Sequence, residues 1–407
     1  MSDTPERFDV LIAGGGMIGA SLAVALAPLG LKVALVETAP FGSDAQPSFD
    51  ERTTALSNGS RRIFESIGIW PAVASEATSI RRIHVSDRGR FAFARIDAAE
   101  QGVGALGFVL ANRALGAALW QKLAAAANIT TLCPATVTRL KTGPAAVEIE
   151  VEQQASCRTF SGRLLVAADG AHSAVRRALH IEATTWDYAQ VGVITNVLPQ
   201  KFHDHIAYER FTPTGPIALL PMNEGRCTVV WTLPEARSRE VMQLDDAQFL
   251  RELGEAFGTR LGRFTRAGRR HAYPLALTRA DEQVAERVVI IGNAAQGLHP
   301  IAGQGFNLGL RDVATLAELI AGERADLGSP AMLERYRAWR AADRRAVVAF
   351  TDGLVRLFGN PLAPVRGARD LGLLAFDLCA PAKDALSRLS MGIAGRLPRL
   401  ARGLPLA

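Results

Sequence analysis

The 407-residue sequence predicts an α/β fold in three parts: a parallel sheet with crossover helices, an inserted and largely antiparallel sheet, and a helical C-terminal region. Three observations carry this. Residues 8–13 and 31–36 are apolar, β-rich runs flanking a small-residue helix, the pattern of a parallel βαβ unit. Residues 191–198, 206–211, 216–221 and 227–233 alternate more and are joined by short turns such as Asn223-Glu-Gly225, the pattern of antiparallel pairing. Late in the chain a β-branched run, Val288-Val-Ile-Ile291, is cut by Gly292. A turn-rich segment follows, and then Phe306, Leu310, Val313, Ala317 and Ile320 recur at helical spacing; a long helical region spans about 332–358.

The first βαβ unit is the most informative. Gly14-Gly-Gly16-Met-Ile-Gly19 reads G-x-G-x-x-G directly after a strand, and the helix over 20–29 is closed by Gly30. The first glycine makes the tight turn, the second admits a pyrophosphate, and the third lets helix pack on strand. The next strand ends in Glu37, eighteen residues after Gly19, where a carboxylate can hold ribose hydroxyls and repel a 2′-phosphate. The unit therefore predicts a Rossmann-like site for NAD or FAD rather than NADP.

Arg52, at a junction after a Pro/Ser/Gly loop, could reach a phosphate or carbonyl, or be an ordinary surface arginine. Arg113 falls in the first turn of an alanine-rich helix, where the dipole disfavours a cation unless an anion binds there. Alternating strands near 135–140 and 146–153 lead to a buried strand ending in Asp169-Gly170, and a short helix starts after it. His203 and His205 have a spacing that can bind metal, but without a nearby third ligand they read as structural or exposed; no metal site is expected. An amphipathic helix is expected over 246–257. In the late segment, Gly303 and Gly305 precede a helix, so a ligand can approach bare backbone N–H groups where the dipole favours negative charge. His299, beside Pro300, could equally brace the loop and is given no role.

The length suits two domains. Formal charge is +6 and the pI near 9.4, yet charged residues are only 21% and form no basic block, so nucleic acid is not an expected partner. Beyond residue 360, seven basic residues face three acidic ones, a local excess of four. Such a tail could touch anionic lipid or an acidic partner, or be a solvated helical face. The cysteines at 133, 157, 227 and 379 show no disulfide or metal spacing, which points to a reducing compartment. Residues 10–31 are uncharged, but early glycines, Pro28 and an acidic flank argue against a membrane span or signal segment. A cytoplasmic protein, at most peripheral at the inner face of the membrane, is expected.

In their order along the chain, G-x-G-x-x-G with Glu37, Asp169-Gly170 and the segment 292–307 resemble the FAD-dependent aromatic hydroxylases, the flavin monooxygenases related to p-hydroxybenzoate hydroxylase. The resemblance covers nearly the whole chain. It implies that Gly14, Gly16, Gly19 and Glu37 seat the ADP half of FAD, with Arg52 and Arg113 near flavin and pyrophosphate and Asp169-Gly170 tied to FAD and to passing nicotinamide. Asn293 stands where the family usually has aspartate. Pro300, Gly303, Gln304, Gly305, Phe306 and Asn307 would surround the flavin ring, with the N–H groups of Phe306 and Asn307 facing its N1–C2=O edge.

More narrowly, Val85-Ser-Asp-Arg-Gly89, Glu209-Arg-Phe-Thr212, Gly225-Arg-Cys227 and the run from Gly292 to Gly309 are similar to the 2-octaprenyl-6-methoxyphenol hydroxylases of bacterial ubiquinone biosynthesis, in which asparagine at position 293 is the expected variant. The implied reaction is ring hydroxylation of a polyprenyl-methoxyphenol by bound FAD, transient NADPH or NADH, and O₂. The implied division is an FAD-binding domain over 1–80, 100–185 and 280–330, a substrate domain over 81–99 and 186–279, and a C-terminal helical region over 331–407. Other proteins of the same pathway and the membrane surface are the partners it suggests. Two alternatives stay open: a reductase or dehydrogenase of the same fold, and a quinone- or lipid-binding assembly factor with a vestigial nucleotide site. No acid or base residue stands out, and oligomeric state is not legible.

Overall fold

The computed structural model describes residues 5–42, 52–154, 156–360 and 362–406; Asp50 and Glu51 lie outside the described residues. The parallel core runs Val288–Ile290, Ser156–Ala167, Glu6–Ala13, Val33–Val36, Ile129–Leu132. Its central strands are sealed on both faces, with Val10, Leu11, Ile12, Leu164 and Leu165 fully buried, as the near-continuous apolar runs require. Register aligns the strand ends: Ala13 pairs with Val36 and with Ala167, and Ala167 pairs with Ile290. Four chain exits therefore lie side by side at one sheet edge, which is where open α/β sheets bind ligands.

The helix after the first strand is Met17–Leu26, continued by a tighter turn at Ala27–Leu29 that Gly30 ends with φ +70°. It begins three residues earlier than the apolar pattern suggested, because Gly16 already has extended dihedrals suited to an N-cap. The meander Thr136–Thr142, Val147–Gln153 leads back into Ser156–Ala167 along its first half.

A second, nine-stranded sheet is mostly antiparallel, as expected, with one parallel pair where Ile206–Thr212 lies beside Arg82–Asp87. Its spine, Ala183–Pro199, is far longer than the eight residues the alternation marked. It pairs with three antiparallel strands, Cys227–Pro234, Phe264–Ala267 and His271–Ala280. Helix Asp246–Phe257 has the expected bounds because Asp245 and Gln248 form a reciprocal capping box at its start. The helix Glu235–Gln243 was not foreseen, and its composition is too polar to show a clear stripe. A three-stranded sheet, Thr53–Ser57, Gly107–Ala111 and Thr78–Ile80, bridges the two larger ones.

After helix Gln304–Gly322 come the long helix Pro330–Gly359, the helices Ala363–Leu378 and Ala380–Ser390, and a turn at Arg399–Arg402. The chain's end returns to the nucleotide-binding lobe. Leu400 and Ala401 join the same buried cluster as Val10 and Ile12, Arg396 lies 3.8 Å over the Trp339 ring, and Arg399 N–H donates to Glu318 at 2.5 Å. Among the described residues no helix is long and apolar enough to cross a membrane.

Candidate active site at the carboxyl ends of the parallel strands

A cleft of about 750 Å³ opens where the parallel strands end. Gly14 and Gly16, Glu37, Arg52, Asp169 and Gly170, Asn293, Pro300, Gly303, Gly305 and Phe306 all border it. Gly19 does not border the cleft and acts in packing: a β-carbon there would stand 1.9 Å from the Gly14 carbonyl oxygen. Arg113 is exposed in the first turn of helix Asn112–Ala124 and outside the cleft lining, whereas its buried neighbour Asn112 borders it. Gln304 and Asn307 line a second cavity described below.

Glu37 uses each carboxylate oxygen once, accepting the Gly15 N–H at 2.6 Å and the Ala39 N–H at 2.8 Å. It fixes the glycine loop as well as presenting a negative rim, and the remaining lone pairs stay available to ribose hydroxyls. Asp169 accepts the Val175 N–H through Oδ2 at 3.1 Å, while its Oδ1 is buried and has no partner among the described residues. A buried acceptor without a donor is costly, so a ligand hydroxyl in the cleft would satisfy it. Asp169→Ala is expected to weaken FAD binding about tenfold, the worth of one such hydrogen bond, measurable by fluorescence titration of apoprotein.

The late segment builds the far wall. Gly303 is left-handed at φ +60° and caps helix Gln304–Gly322 without any side-chain hydrogen bond. The N–H groups of Gly305 and Phe306, in the first turn, lack intrahelical carbonyls, and both residues border the cleft. Asn307 differs from expectation: in helical geometry its N–H is already directed at the Gly303 carbonyl. Its side chain is a staple. Nδ2 donates to the Ala55 and Gly303 carbonyls at 2.8 and 2.7 Å, and Oδ1 accepts from Ser57 N–H and Ser60 Oγ at 2.8 and 2.7 Å. Sequence spacing could not reveal this, since the partners lie about 250 residues away.

Beneath the wall, the Gly292 N–H donates to Asp312 Oδ2 at 3.3 Å, and Arg340 Nε pairs with Asp312 Oδ1 at 2.7 Å. Both side chains are buried. Burial works against the Arg340 charge, but Asp312 and then Asp343 hold its guanidinium above the ordinary range.

His299 braces the loop: its Nδ1 accepts the Ile301 N–H at 3.2 Å, and its ring meets Tyr188 edge-on at 5.3 Å. Burial lowers its pKa from 6.5 to about 4. His84, on the other sheet, is lowered to about 4 by burial first and then by Arg260, Arg95 and Arg210. The unfolded chain binds these protons near pH 6.5 and the folded chain only near 4, so stability is complete above the former and falls as pH drops between them. Urea midpoints should decline from about pH 7 to about pH 5, and His84→Gln should flatten the decline.

The second cavity, about 610 Å³, is almost wholly apolar and lies between the nine-stranded sheet and the C-terminal helices. It shares Ala55, Leu220, Val230, Pro300 and Gly303 with the first. The two chambers therefore meet at the Pro300–Gly303 turn. Among the described residues lining it, Glu209 is the one acid and Arg369 the one base. Arg369 is committed to Asp87 at 2.5 Å and to the Leu357 and Phe358 carbonyls. His203 and His205 sit elsewhere: His203 Nε2 bonds the Met222 carbonyl oxygen at 2.9 Å, and no metal-binding group of three ligands exists among the described residues.

A nucleotide cleft at the strand ends, with a greasy chamber against its far wall, is the architecture of a flavin-dependent hydroxylase. The chain belongs to the FAD binding domain family, whose model matches residues 7–351, and FAD is its cofactor. It is 38% identical to the ubiquinone hydroxylase UbiL of Rhodospirillum rubrum, across 98% of this chain and 93% of that one. It is 33% identical to the 3-demethoxyubiquinol 3-hydroxylase of Escherichia coli, across 96% of this chain and all of the other. Among solved structures, the p-nitrophenol 4-monooxygenase PnpA of Pseudomonas putida shares the fold with a TM-score of 0.78 at 19% identity, covering 96% of this chain and 100% of that one.

Proposed function

We propose that this protein, an FAD-dependent aromatic-ring monooxygenase, hydroxylates a polyprenyl-methoxyphenol with NAD(P)H and O₂ in ubiquinone biosynthesis. The observation that carries the substrate class is the apolar chamber meeting the cofactor cleft at Pro300 and Gly303. Its walls shed water and suit an isoprenoid chain, and only its junction with the cleft is placed to expose a ring to chemistry. Gly14, Gly16, Glu37, Asp169, Gly170 and Asn293 would hold the nucleotide and ribityl parts of FAD, and the N–H groups of Gly305 and Phe306 the anionic edge of its ring. Bound there, FAD would supply the redox chemistry by which two electrons from NAD(P)H and one O₂ put one oxygen atom into the substrate ring and release the other as water.

The protein's own contributions are orientation and proton handling. Glu209 pairs across the sheet with Ala218, and Ala218 with Val230, which borders both chambers. A ring lying over Ala218 would have its hydroxyl toward Glu209 and its reactive carbon toward the cofactor. A hydrogen bond from that hydroxyl to the carboxylate would raise electron density in the ring. Glu209→Gln is expected to lower kcat roughly tenfold to a hundredfold with a smaller change in KM, read by steady-state NAD(P)H oxidation.

In this reading, residues 1–80, 100–185 and 280–330 form the cofactor domain, and 81–99 with 186–279 the substrate domain. The partners are the membrane that holds the substrate and sister enzymes of the pathway. The deciding experiment supplies a polyprenyl-methoxyphenol, NAD(P)H and isotopically labelled O₂, with product analysed by mass spectrometry. Label in the ring supports hydroxylation; turnover without label, or under anaerobic conditions, makes the protein a dehydrogenase or reductase instead.

A further inference from the structure

Helix Ala363–Leu378 is apolar on two opposite sides. One side, through Leu373 and Phe376, lines the greasy chamber. The other carries Leu371, Ala375 and Leu378 at i, i+4 and i+7, and leaves the two leucines 68% and 85% exposed. Leu362, just ahead of the helix, is 61% exposed. An apolar helix side is normally covered, so this outer side lacks its cover among the described residues.

The neighbouring hairpin supplies the complement. Strand Phe93–Asp97 is the edge of the nine-stranded sheet and packs against this helix. At the hairpin tip Phe91 is 72% exposed, flanked by the exposed Arg88, Arg90 and Arg95. The acids of the helix are already engaged here: Asp370 pairs with Arg90 at 3.4 Å, and Asp377 accepts the Arg95 N–H at 2.8 Å. Arg88, two residues before Arg90, is exposed at the same tip. Like charges gathered without enough acids to neutralise them favour an anionic counterpart. By contrast, in the basic tail that the sequence marked, Arg396 lies over the Trp339 ring and the Arg399 backbone N–H is held by Glu318.

We propose that Phe91, Leu362, Leu371 and Leu378, bordered by Arg88, Arg90 and Arg95, form a face that rests on an anionic lipid bilayer. Apolar side chains enter the acyl boundary and arginines meet lipid phosphates, the two contributions that hold an interfacial helix. The inference rests on the reading that the chamber takes a polyprenyl substrate, because it places the chamber's helical wall at the surface where such a molecule is dissolved.

The test is flotation of the FAD-loaded, full-length protein with vesicles of phosphatidylcholine alone or with added phosphatidylglycerol. Binding should need the anionic lipid and weaken with salt. The triple variant Phe91→Ser/Leu371→Ser/Leu378→Ser should lose about tenfold or more of the binding, and Arg88→Gln/Arg95→Gln should lose the dependence on anionic lipid. None of these five side chains lines either chamber, so NAD(P)H oxidation with a short-chain, water-soluble methoxyphenol should be unchanged in all variants. Equal flotation of wild type and triple variant overturns the proposal. So does wild-type protein that ignores vesicles but forms a dimer abolished by the same three serines, which would make the face a self-association surface. Loss of the short-chain activity in wild type would strike the substrate reading and leave the docking result standing.

Discussion

Gly14→Ala is expected to yield protein that purifies without flavin. Gly14 has φ +101°, and a β-carbon there would lie 2.4 Å from the Ala168 carbonyl oxygen. That oxygen belongs to the end of the adjacent parallel strand, and Ala168 N–H is itself bonded to the Ala13 carbonyl at 2.7 Å. Relief would require the strand tips to part, at the place where the pyrophosphate must approach backbone. A hundredfold or greater loss of FAD affinity is expected, about 3 kcal/mol or more, read as the flavin-to-protein absorbance ratio after gel filtration. Gly170→Ala provides the comparison. It shares a positive φ of +82°, but nothing lies within 4 Å of the added carbon. Strain alone, about 1–2 kcal/mol, should leave it yellow.

Asp312→Ala should lower global stability by about 2–3 kcal/mol, the worth of a hydrogen bond to a buried charged group. The weakened partner would be Arg340, whose side chain is 4% exposed and would keep Asp343 alone as its acid. The substitution also removes the acceptor of the Gly292 N–H and of Gln296 Nε2, so the first turn of the late segment loses its anchor. Urea denaturation of the apoprotein measures the first effect and flavin retention the second. Asp312→Ala combined with Arg340→Met should recover at least half of the lost stability, because the weakly compensated charge is gone. It should not restore flavin retention, because the anchor is still missing. Failure of the double variant to recover would mean that the anchor, not the ion pair, dominates.

What the sequence disclosed follows from how local each cause is. The βαβ unit was legible because its glycines, helix and Glu37 act within 24 residues of one another, and each has a steric or electrostatic reason to be there. Helix Asp246–Phe257 was legible because its cap is four residues wide. Pairings that span the chain were not: Thr53–Ser57 finds Gly107–Ala111, and neither strand alternates clearly enough to announce a sheet. The site divides the same way. The ring of residues around the cleft could be read from loops at strand ends, whereas Gln304 and Asn307 border the adjoining apolar chamber. Helix rotation turns those two toward the other chamber, and the Asn307 amide serves the chain rather than a ligand. Arg113 likewise stands outside the cleft, since a first-turn position does not say which way the turn faces. Glu209 was quoted within a motif and given no role, because only sheet register shows that it looks into the apolar chamber.

The Asn307 staple joins strand Thr53–Ser57 to a helix that begins at Gln304, and the cluster around Val10 is completed only by Leu400 and Ala401. The wall opposite the glycine loop is therefore closed by contacts between segments about 250 residues apart. Such long-range closure comes late in folding, so capture of FAD follows it, and a shortage of the cofactor would be felt by a chain already collapsed around its first βαβ unit.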